Sequence, residues 1–172
     1  MPDGDFRDMM RFTPGPDTSR QFRDALSNFA TGVTVVTCRG PEGPVGITAN
    51  SFASLSLDPP LVLWSPARAS KRFAAFEAAD NYAIHVLSSS QMDVCRGFAR
   101  NGTDFSAFDW ETSAENVPLL NGCLARFECL RHAVHDGGDH AIIVGRVTNA
   151  AVGPGEPLIF SGGSYGGFSI GD

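Results

Sequence analysis

The chain has 172 residues, a length that suits one domain with a hydrophobic core of its own. Its composition is 42% apolar and 19% charged, with 19 Gly, 13 Phe and 11 Pro, and favours a turn-rich sheet protein over a helical bundle. The net charge of −6 argues against nucleic acid as a partner, because surfaces that bind phosphate backbones are basic.

The N-terminal segment is charged and rich in proline, so residues 1–18 are predicted to form a flexible arm and residues 19–172 a single domain. The segment lacks the apolar stretch of a secretory signal, and no run reaches the roughly 20 apolar residues that span a bilayer. These features predict a cytoplasmic protein. Its four cysteines are then expected to stay reduced and to act as small core residues, since none forms a C-x-x-C pair.

The first half of the predicted domain combines one helix with several strands. Residues 19–30 carry apolar side chains at helical spacing. Strands are predicted at 33–38, at 45–56 as one long or two short segments, and at 60–65. The last of these is nearly continuous in apolar residues, so it is expected to be buried on both faces.

The second half adds two helices and three strands. A short helix is predicted over 70–79, a strand over 82–87 and a helix over 89–100. An irregular, aromatic-rich stretch of about twenty residues follows, longer than an ordinary connection. Two long strands, 123–134 and 139–152, are joined by HDGG, a sequence typical of hairpin turns. About six antiparallel strands with short helices predict a mainly β fold, built as a closed or nearly closed barrel.

The segment GITANSFASLSLDPP, residues 46–60, is unusually polar for a strand. Alternation predicts that Thr48, Asn50, Phe52 and Ser54 share one face. A ladder of hydroxyl groups facing solvent is one interpretation, although Phe52 among the polar side chains argues against simple exposure. The other interpretation is a polar, planar ligand that pairs with Asn50 and with backbone amides.

A basic cluster follows in SPARASKRF. Ser70 and Lys71 are predicted to open a helix, with Arg68 and Arg72 on either side. Free N–H groups and the positive end of the dipole make a helix N-terminus attractive to anions. The cluster therefore indicates either an anion site or a capped, solvated surface helix.

Three histidines lie near the predicted hairpin. His132 and His135 would point to opposite faces of a strand, and the turn separates both from His140, so the spacing does not match known metal sites. At the mouth of a strand, the His140 ring can stack on a ligand, donate a hydrogen bond or lie in water.

The segments GVTVVTCRGPEGPVGITANSFASLSLDPPLVLWS, NYAIHVLSSSQMDVCRGFAR, GDHAIIVGRV and PLIFSGGSYGGF resemble the short-chain flavin reductases. These proteins are the small components of two-component flavin-dependent monooxygenases. The likeness runs in the family's order over nearly all of residues 20–168. It implies the FMN-binding split-barrel fold, a homodimer, and reduction of FMN or FAD by NADH or NADPH for a larger monooxygenase partner.

The resemblance also implies a set of site residues. Those expected to bind the flavin are Thr48, Ala49, Asn50, Ser51, Ser65, Ser70, Lys71 and Phe98, of which Ser65, Ser70 and Lys71 would receive the phosphate. Those expected to meet the nicotinamide are His140 and Tyr165. Hydride passes directly between the two cofactors, so neither a catalytic acid or base of the protein nor a metal is expected.

Two residues depart from the family's pattern. His85 stands where many relatives have Asn, and Asp104 stands where a Lys often precedes the Phe of the central loop. Because one fold supports several functions, two alternatives stay open. One is a flavin-binding or storage module without turnover. The other is a stand-alone FMN enzyme, or one like pyridoxamine-phosphate oxidase, on the same fold.

Overall fold

The computed structural model describes residues 9–169. The α-helices in this range are α1 (Ser19–Ser27), α2 (Phe73–Ala78) and α3 (Met92–Arg100). The strands are β1 (Thr31–Gly32), β2 (Thr34–Gly40), β3 (Gly43–Ala49), β4 (Ala53–Leu57), β5 (Pro60–Trp64), β6 (Asn81–Val86), β7 (Trp110–Thr112), β8 (Pro118–Leu120), β9 (Ala125–Gly137), β10 (His140–Val152), β11 (Ile159–Ser161) and β12 (Ser164–Gly166).

Seven antiparallel strands form the main sheet, in the order β3-β2-β6-β9-β10-β5-β4. They cover the six predicted segments, because the segment predicted at 45–56 is two strands, β3 and β4, with a break at residues 50–52. The mainly β class with short helices is confirmed, whereas the main sheet has seven strands instead of the predicted six or so. The sheet is not hydrogen-bonded into a closed ring, since β3 and β4 are its two edges in the described range.

The main sheet is nevertheless strongly curved. Between β5 and β6 lie β9 and β10, so three strand spacings, roughly 14 Å in a flat sheet, separate them. The ring centroids of Trp64 on β5 and Tyr82 on β6 are only 6.3 Å apart. Val45 and Ile47 of the edge strand β3 pack against the same buried cluster. One core is therefore shared by strands from both halves of the sheet.

A second core cluster lies between the sheet and α3. Phe98 of α3 packs against Phe105 and Phe108 of the aromatic-rich central loop, with ring centroids 4.7 and 5.0 Å away. On its other side Phe98 faces Gly46 of β3, where a Cβ atom would lie 2.5 Å from the ring. The central loop is thus an ordered cover for α3, which sits directly on the edge strand.

The predicted helices form, but their ends are shifted, and α1 is unexpectedly exposed to solvent. Helix α1 ends at Ser27, and none of its residues is buried, so its apolar face has no partner within the described part of the chain. Helix α2 begins only at Phe73, because Ser70 instead caps a turn by accepting a hydrogen bond from the Arg72 backbone N–H. A short 3-10 turn with a capping box between Ser88 and Gln91 leads into α3.

Five short strands were not predicted: β1, β11 and β12, which form a small sheet, and β7 and β8, which pair with each other. Segments of two or three residues are too short to show a periodicity. Residues 1–8 of the predicted arm lie outside the described range, and Pro16–Thr18 forms a 3-10 turn that runs directly into α1. The boundary at residue 18 stays a prediction.

Three of the four cysteines, Cys38, Cys95 and Cys129, are buried, and all four are free thiols. Burial raises the pKa of Cys38 and of Cys129 to about 12. The expected position in the core is confirmed for these three. No helix among residues 9–169 is long and apolar enough to cross a membrane.

Candidate functional site

The end of β3 is held between α3 and the loop that follows β5. Thr48 Oγ1 donates a hydrogen bond to the Cys95 carbonyl of α3 at 2.7 Å. Ser51 Oγ accepts one from the Ser65 N–H at 2.9 Å and donates to the Ser65 carbonyl at 3.2 Å. Asn50, between these two anchors, is exposed. The polar strand is therefore held by its hydroxyl groups, and the Asn50 amide faces outward.

The predicted alternation does not continue through this segment. Phe52 packs on the main core cluster together with Ile47 and Ala49, rather than sharing a face with Thr48 and Asn50. The break at residues 50–52 shifts the phase of the chain between β3 and β4. The exposure of Asn50 is thus compatible with a half-buried Phe52 that packs on the core.

Two cavities share residues 48–50 in their lining. The first, of about 170 Å³, also touches α3 and the C-terminal hairpin; it is lined by Val33, Thr48, Ala49, Asn50, Ala99, Phe160 and Tyr165. The second, of about 210 Å³, reaches the loop after β5 and the start of β10; it is lined by Ile47, Thr48, Ala49, Asn50, Ser51, Trp64, Ser65, Pro66, Ala67 and His140. Seven of the ten predicted site residues, Thr48, Ala49, Asn50, Ser51, Ser65, His140 and Tyr165, meet here.

His140 lies at the mouth of the second cavity. Its Nδ1 atom is 2.7 Å from Asp139 Oδ1, and this hydrogen bond, together with the charge of the imidazole, lowers the pKa of the Asp139 carboxyl. A backbone bridge to Ala67 fixes the start of β10 beside the loop after β5. The ring is therefore oriented by its neighbour in the chain and placed against the cavity that contains Asn50.

Tyr165 reaches the first cavity from the hairpin formed by β11 and β12. Its ring packs on Phe160, 5.2 Å between centroids. Interaction with the Cys95 thiol, followed by burial, raises the pKa of Tyr165. The C-terminal hairpin and α3 line the same cavity, so the hairpin closes one side of the site. Phe160 carried no indication of this role in the sequence, since its strand is only three residues long.

The two arginines of the predicted basic cluster are engaged within the protein. Arg68 forms a 3.0 Å ion pair with Asp136 on the β9–β10 hairpin. The Arg72 guanidinium donates to the carbonyls of Phe98 and Ala99 at the end of α3, and burial lowers its pKa. These contacts hold the loop after β5 in place. Within residues 9–169, Ser70 and Lys71 are the members of the cluster that form no such bond to the end of α3 or to the hairpin.

Three predicted residues do not line the two cavities. Phe98 is fully buried in the second core cluster, and its neighbour Ala99 reaches the first cavity instead. Lys71 is exposed and lines a third cavity, beside α2 and the β2–β3 turn. Ser70 precedes it in the turn before α2. In residues 9–169 no three His, Cys, Asp or Glu side chains are placed to hold a metal ion.

The family described as flavin reductase like domain matches residues 26–169. The chain belongs to this family. The FMN reductase (NADH) SmoA of Agrobacterium fabrum is 60% identical over 158 residues, which cover 92% of this chain and 91% of SmoA. The reductase subunit HsaB of a flavin-dependent monooxygenase from Rhodococcus jostii is 41% identical over 150 residues, covering 86% and 77% of the two chains.

A solved structure shows the same fold. The NADH:FAD oxidoreductase SgcE6 of Streptomyces globisporus superposes with a TM-score of 0.87 at 37% sequence identity, over 95% of this chain and all of that chain.

The cavities found here have the donor set that a flavin needs. Backbone groups of residues 48–51 and the outward-facing Asn50 amide can pair with the polar edge of the ring system, and the Ser65 region can meet its side chain.

Proposed function

We propose that this protein is an NADH-dependent flavin reductase that supplies reduced flavin to a flavin-dependent monooxygenase. The observation that carries this proposal is the meeting of Asn50 and His140 at one cavity, from strands that lie far apart in the chain. The 60% identity to an NADH-dependent FMN reductase and the likeness to reductase subunits of monooxygenases support it.

The side chains and backbone groups at and near positions 48–51 bind the flavin and the nicotinamide and orient them. Bound flavin supplies the hydride-accepting ring, and the dihydronicotinamide supplies the hydride. Asn50 and the neighbouring backbone amides hold the polar edge of the flavin, while Ser65, Ser70 and Lys71 hold its phosphate end. His140 and Tyr165, each of which lines a cavity together with residues 48–50, position the nicotinamide. The rate depends on this alignment, so no acid or base of the protein needs to act.

A homodimer and a split barrel complete the proposal. Helix α1 exposes Phe22 by 43% and Leu26 by 59%, and Phe29 just after its end is exposed by 79%; neighbouring exposed apolar side chains of this kind mark an interaction surface. A second copy of the chain, related by a two-fold axis, is the simplest cover. The curvature of the main sheet and the short link between its edge strands support a split barrel formed by residues 19–172.

The free thiols and the use of NADH support a location in the cytoplasm. Free, mostly buried thiols suit a reducing compartment, and NADH is a cytoplasmic electron donor. We therefore place the protein in the cytoplasm.

Anaerobic mixing with FMN and NADH tests the proposed activity. A flavin reductase bleaches the yellow colour of FMN catalytically, with many equivalents of FMN reduced per protein chain. A storage module would bind FMN and leave it yellow, and an enzyme like pyridoxamine-phosphate oxidase would ignore NADH. Persistence of the yellow colour in the presence of both reagents would refute the proposal. Light scattering on the same sample tests the dimer, which predicts twice the chain mass of 18.3 kDa.

A further inference from the structure

One arginine joins the turn of the β9–β10 hairpin to the loop after β5. The Arg68 guanidinium donates from Nε to the Gly138 carbonyl at 3.3 Å, and its Nη2 forms the 3.0 Å ion pair with Asp136. The backbone N–H of the same residue donates to the Asp139 carbonyl at 2.9 Å. A single residue therefore bonds to three positions at the tip of the hairpin.

The Arg68 side chain is itself held from α2. Its guanidinium carbon lies 5.5 Å from the centre of the ring of Phe73, the first residue of α2. A guanidinium over an aromatic face is attracted by the negative charge of that face. The planar group therefore has a defined position, from which its nitrogens point to separate acceptors on the hairpin.

The segment that these bonds hold carries His140. This residue stands opposite Ala67 of the loop after β5 in a backbone bridge. The bridge is flanked by the hydrogen bond from the Arg68 N–H and by one from the Ala141 N–H to the Pro66 carbonyl at 3.1 Å. The loop and the start of β10 thus form the wall of the second cavity together, and the bonds of Arg68 act at the end of that wall.

Contacts within the hairpin hold the His140 ring less firmly. The carboxylate that pairs with its Nδ1 belongs to Asp139, whose side chain is 93% exposed. Asp139 and Gly138 form the two-residue turn itself. Exposed turns with few buried contacts open more easily than the strands they connect. Without Arg68, the pair of Asp139 and His140 would move with the turn as one unit.

Stability does not explain these bonds. The Arg68 side chain is 40% exposed and that of Asp136 is 83% exposed, and ion pairs at such exposure add little to the free energy of unfolding. The alignment of reacting rings, in contrast, is sensitive to shifts of about 1 Å. An interaction too weak to matter for folding can therefore matter for the position of the His140 ring.

We propose that Arg68 is a positioning residue for hydride transfer: it holds the β9–β10 turn so that the His140 ring faces the bound nicotinamide. The inference rests on the proposed flavin reductase function. Arg68 acts through His140 and contacts neither the flavin nor the nicotinamide. The competing role for this arginine is that of a phosphate ligand beside Ser70 and Lys71, and the two roles predict different results.

Amide hydrogen exchange of the protein without added flavin tests the positioning directly. Arg68→Met removes the charge and the side-chain donors but keeps an unbranched chain that can lie on Phe73. The Ala141 N–H is expected to exchange about tenfold faster in this variant, because the turn opens more often. Arg146→Met is the matched control, since Arg146 is exposed on the same strand but lies opposite Leu61 of β5, away from the turn. Its Ala141 exchange should equal that of the wild type.

Anaerobic single-turnover mixing then connects the turn to the reaction. Arg68→Met should slow the reduction of FMN at saturating NADH by about three- to tenfold. This effect is smaller than that of losing the His140 ring, because the backbone bonds of the loop remain. FMN affinity should stay the same. Asp136→Ala, which removes the partner of Arg68 on the hairpin, should also slow reduction.

The double variant separates positioning from a general loss of packing. If Arg68 acts through His140, Arg68→Met should cause no further loss of rate in the His140→Ala background, because the effects of residues that work as a unit are not additive. A general loss of packing would slow the reaction by the same factor in both backgrounds.

The outcomes also separate this inference from the proposed function. Ala141 exchange or FMN reduction at the wild-type rate in Arg68→Met would overturn the inference and leave the reductase function intact, as would a full additional effect in the His140→Ala background. Weaker binding of FMN with unchanged binding of riboflavin would assign Arg68 to the phosphate and overturn it as well. A wild-type protein that binds FMN without reducing it would overturn the function, and the inference with it.

Discussion

His85 should make this protein sensitive to acid. Its ring is fully buried, with Nδ1 2.9 Å from the Val35 carbonyl on β2 and with Nε2 accepting the Leu120 N–H of β8 at 3.0 Å. One nitrogen must donate to the carbonyl while the other accepts, so the folded state requires the neutral imidazole. Burial lowers the pKa of His85 from 6.5 to about 4.

The size and direction of the effect follow from this difference. The unfolded chain takes up a proton on His85 as the pH falls through 6.5, whereas the folded protein does so only near pH 4. The free energy of unfolding therefore has its full value above pH 6.5 and decreases as the pH falls from 6.5 to 4. The contribution of His85 to this loss is roughly 3 kcal/mol, a large part of the usual 5–15 kcal/mol stability of a domain.

Urea unfolding at pH 7, 6, 5 and 4.5, followed by the fluorescence of Trp64 and Trp110, measures the loss of stability. The comparison uses His85→Asn and His85→Gln, which lack the titrating group and can each keep one of the two hydrogen bonds. Both variants are expected to be less stable than the wild type at pH 7, by about 1–3 kcal/mol, because one buried partner is left unpaired. Both should then lose less stability on acidification.

Surface carboxylates titrate in all three proteins, so their contribution cancels in the difference in unfolding free energy between the wild type and each variant. This difference should shift in favour of the variants by roughly 2.5 kcal/mol between pH 7 and pH 4.5. Parallel curves for the three proteins over this range would show that the buried neutral histidine does not control acid stability.

Three further predictions concern the site and its support. Lys71→Ala should weaken the binding of FMN by about one to two orders of magnitude, since a charge-assisted hydrogen bond contributes roughly 1.5–3 kcal/mol. The binding of riboflavin, which lacks the phosphate, should not change. Equal losses of affinity for the two flavins in a fluorescence titration would exclude a phosphate contact. His140→Ala should slow anaerobic bleaching of FMN by NADH on the order of a hundredfold at unchanged FMN affinity, with the exposed hairpin residue His135→Ala as control; identical rates would remove His140 from the reaction. Gly46→Ala should cost about 1–3 kcal/mol of stability in urea, because its Cβ would lie 2.5 Å from the Phe98 ring, while Gly32→Ala, with open space around it, should match the wild type.

Much of the fold is determined by the sequence itself. Apolar runs bounded by Gly, Pro and Asp residues predicted the long strands of the main sheet to within a few residues, and the HDGG turn predicted the β9–β10 hairpin. These features are local, since periodicity and turn preference depend on neighbours in the chain. The polar segment after Gly46 also pointed to the site, because so many hydroxyl and amide groups in one strand need partners.

The tertiary structure alone decided which polar groups are free for a ligand. Arg68 and Arg72 look like anion ligands in the sequence, yet one pairs with Asp136 and the other with the carbonyl of Phe98, 26 residues along the chain. Phe98 is buried for the same reason, because the central loop folds back over α3. Contacts between residues this far apart depend on how the sheet curves and where the helices pack, and no local pattern encodes them.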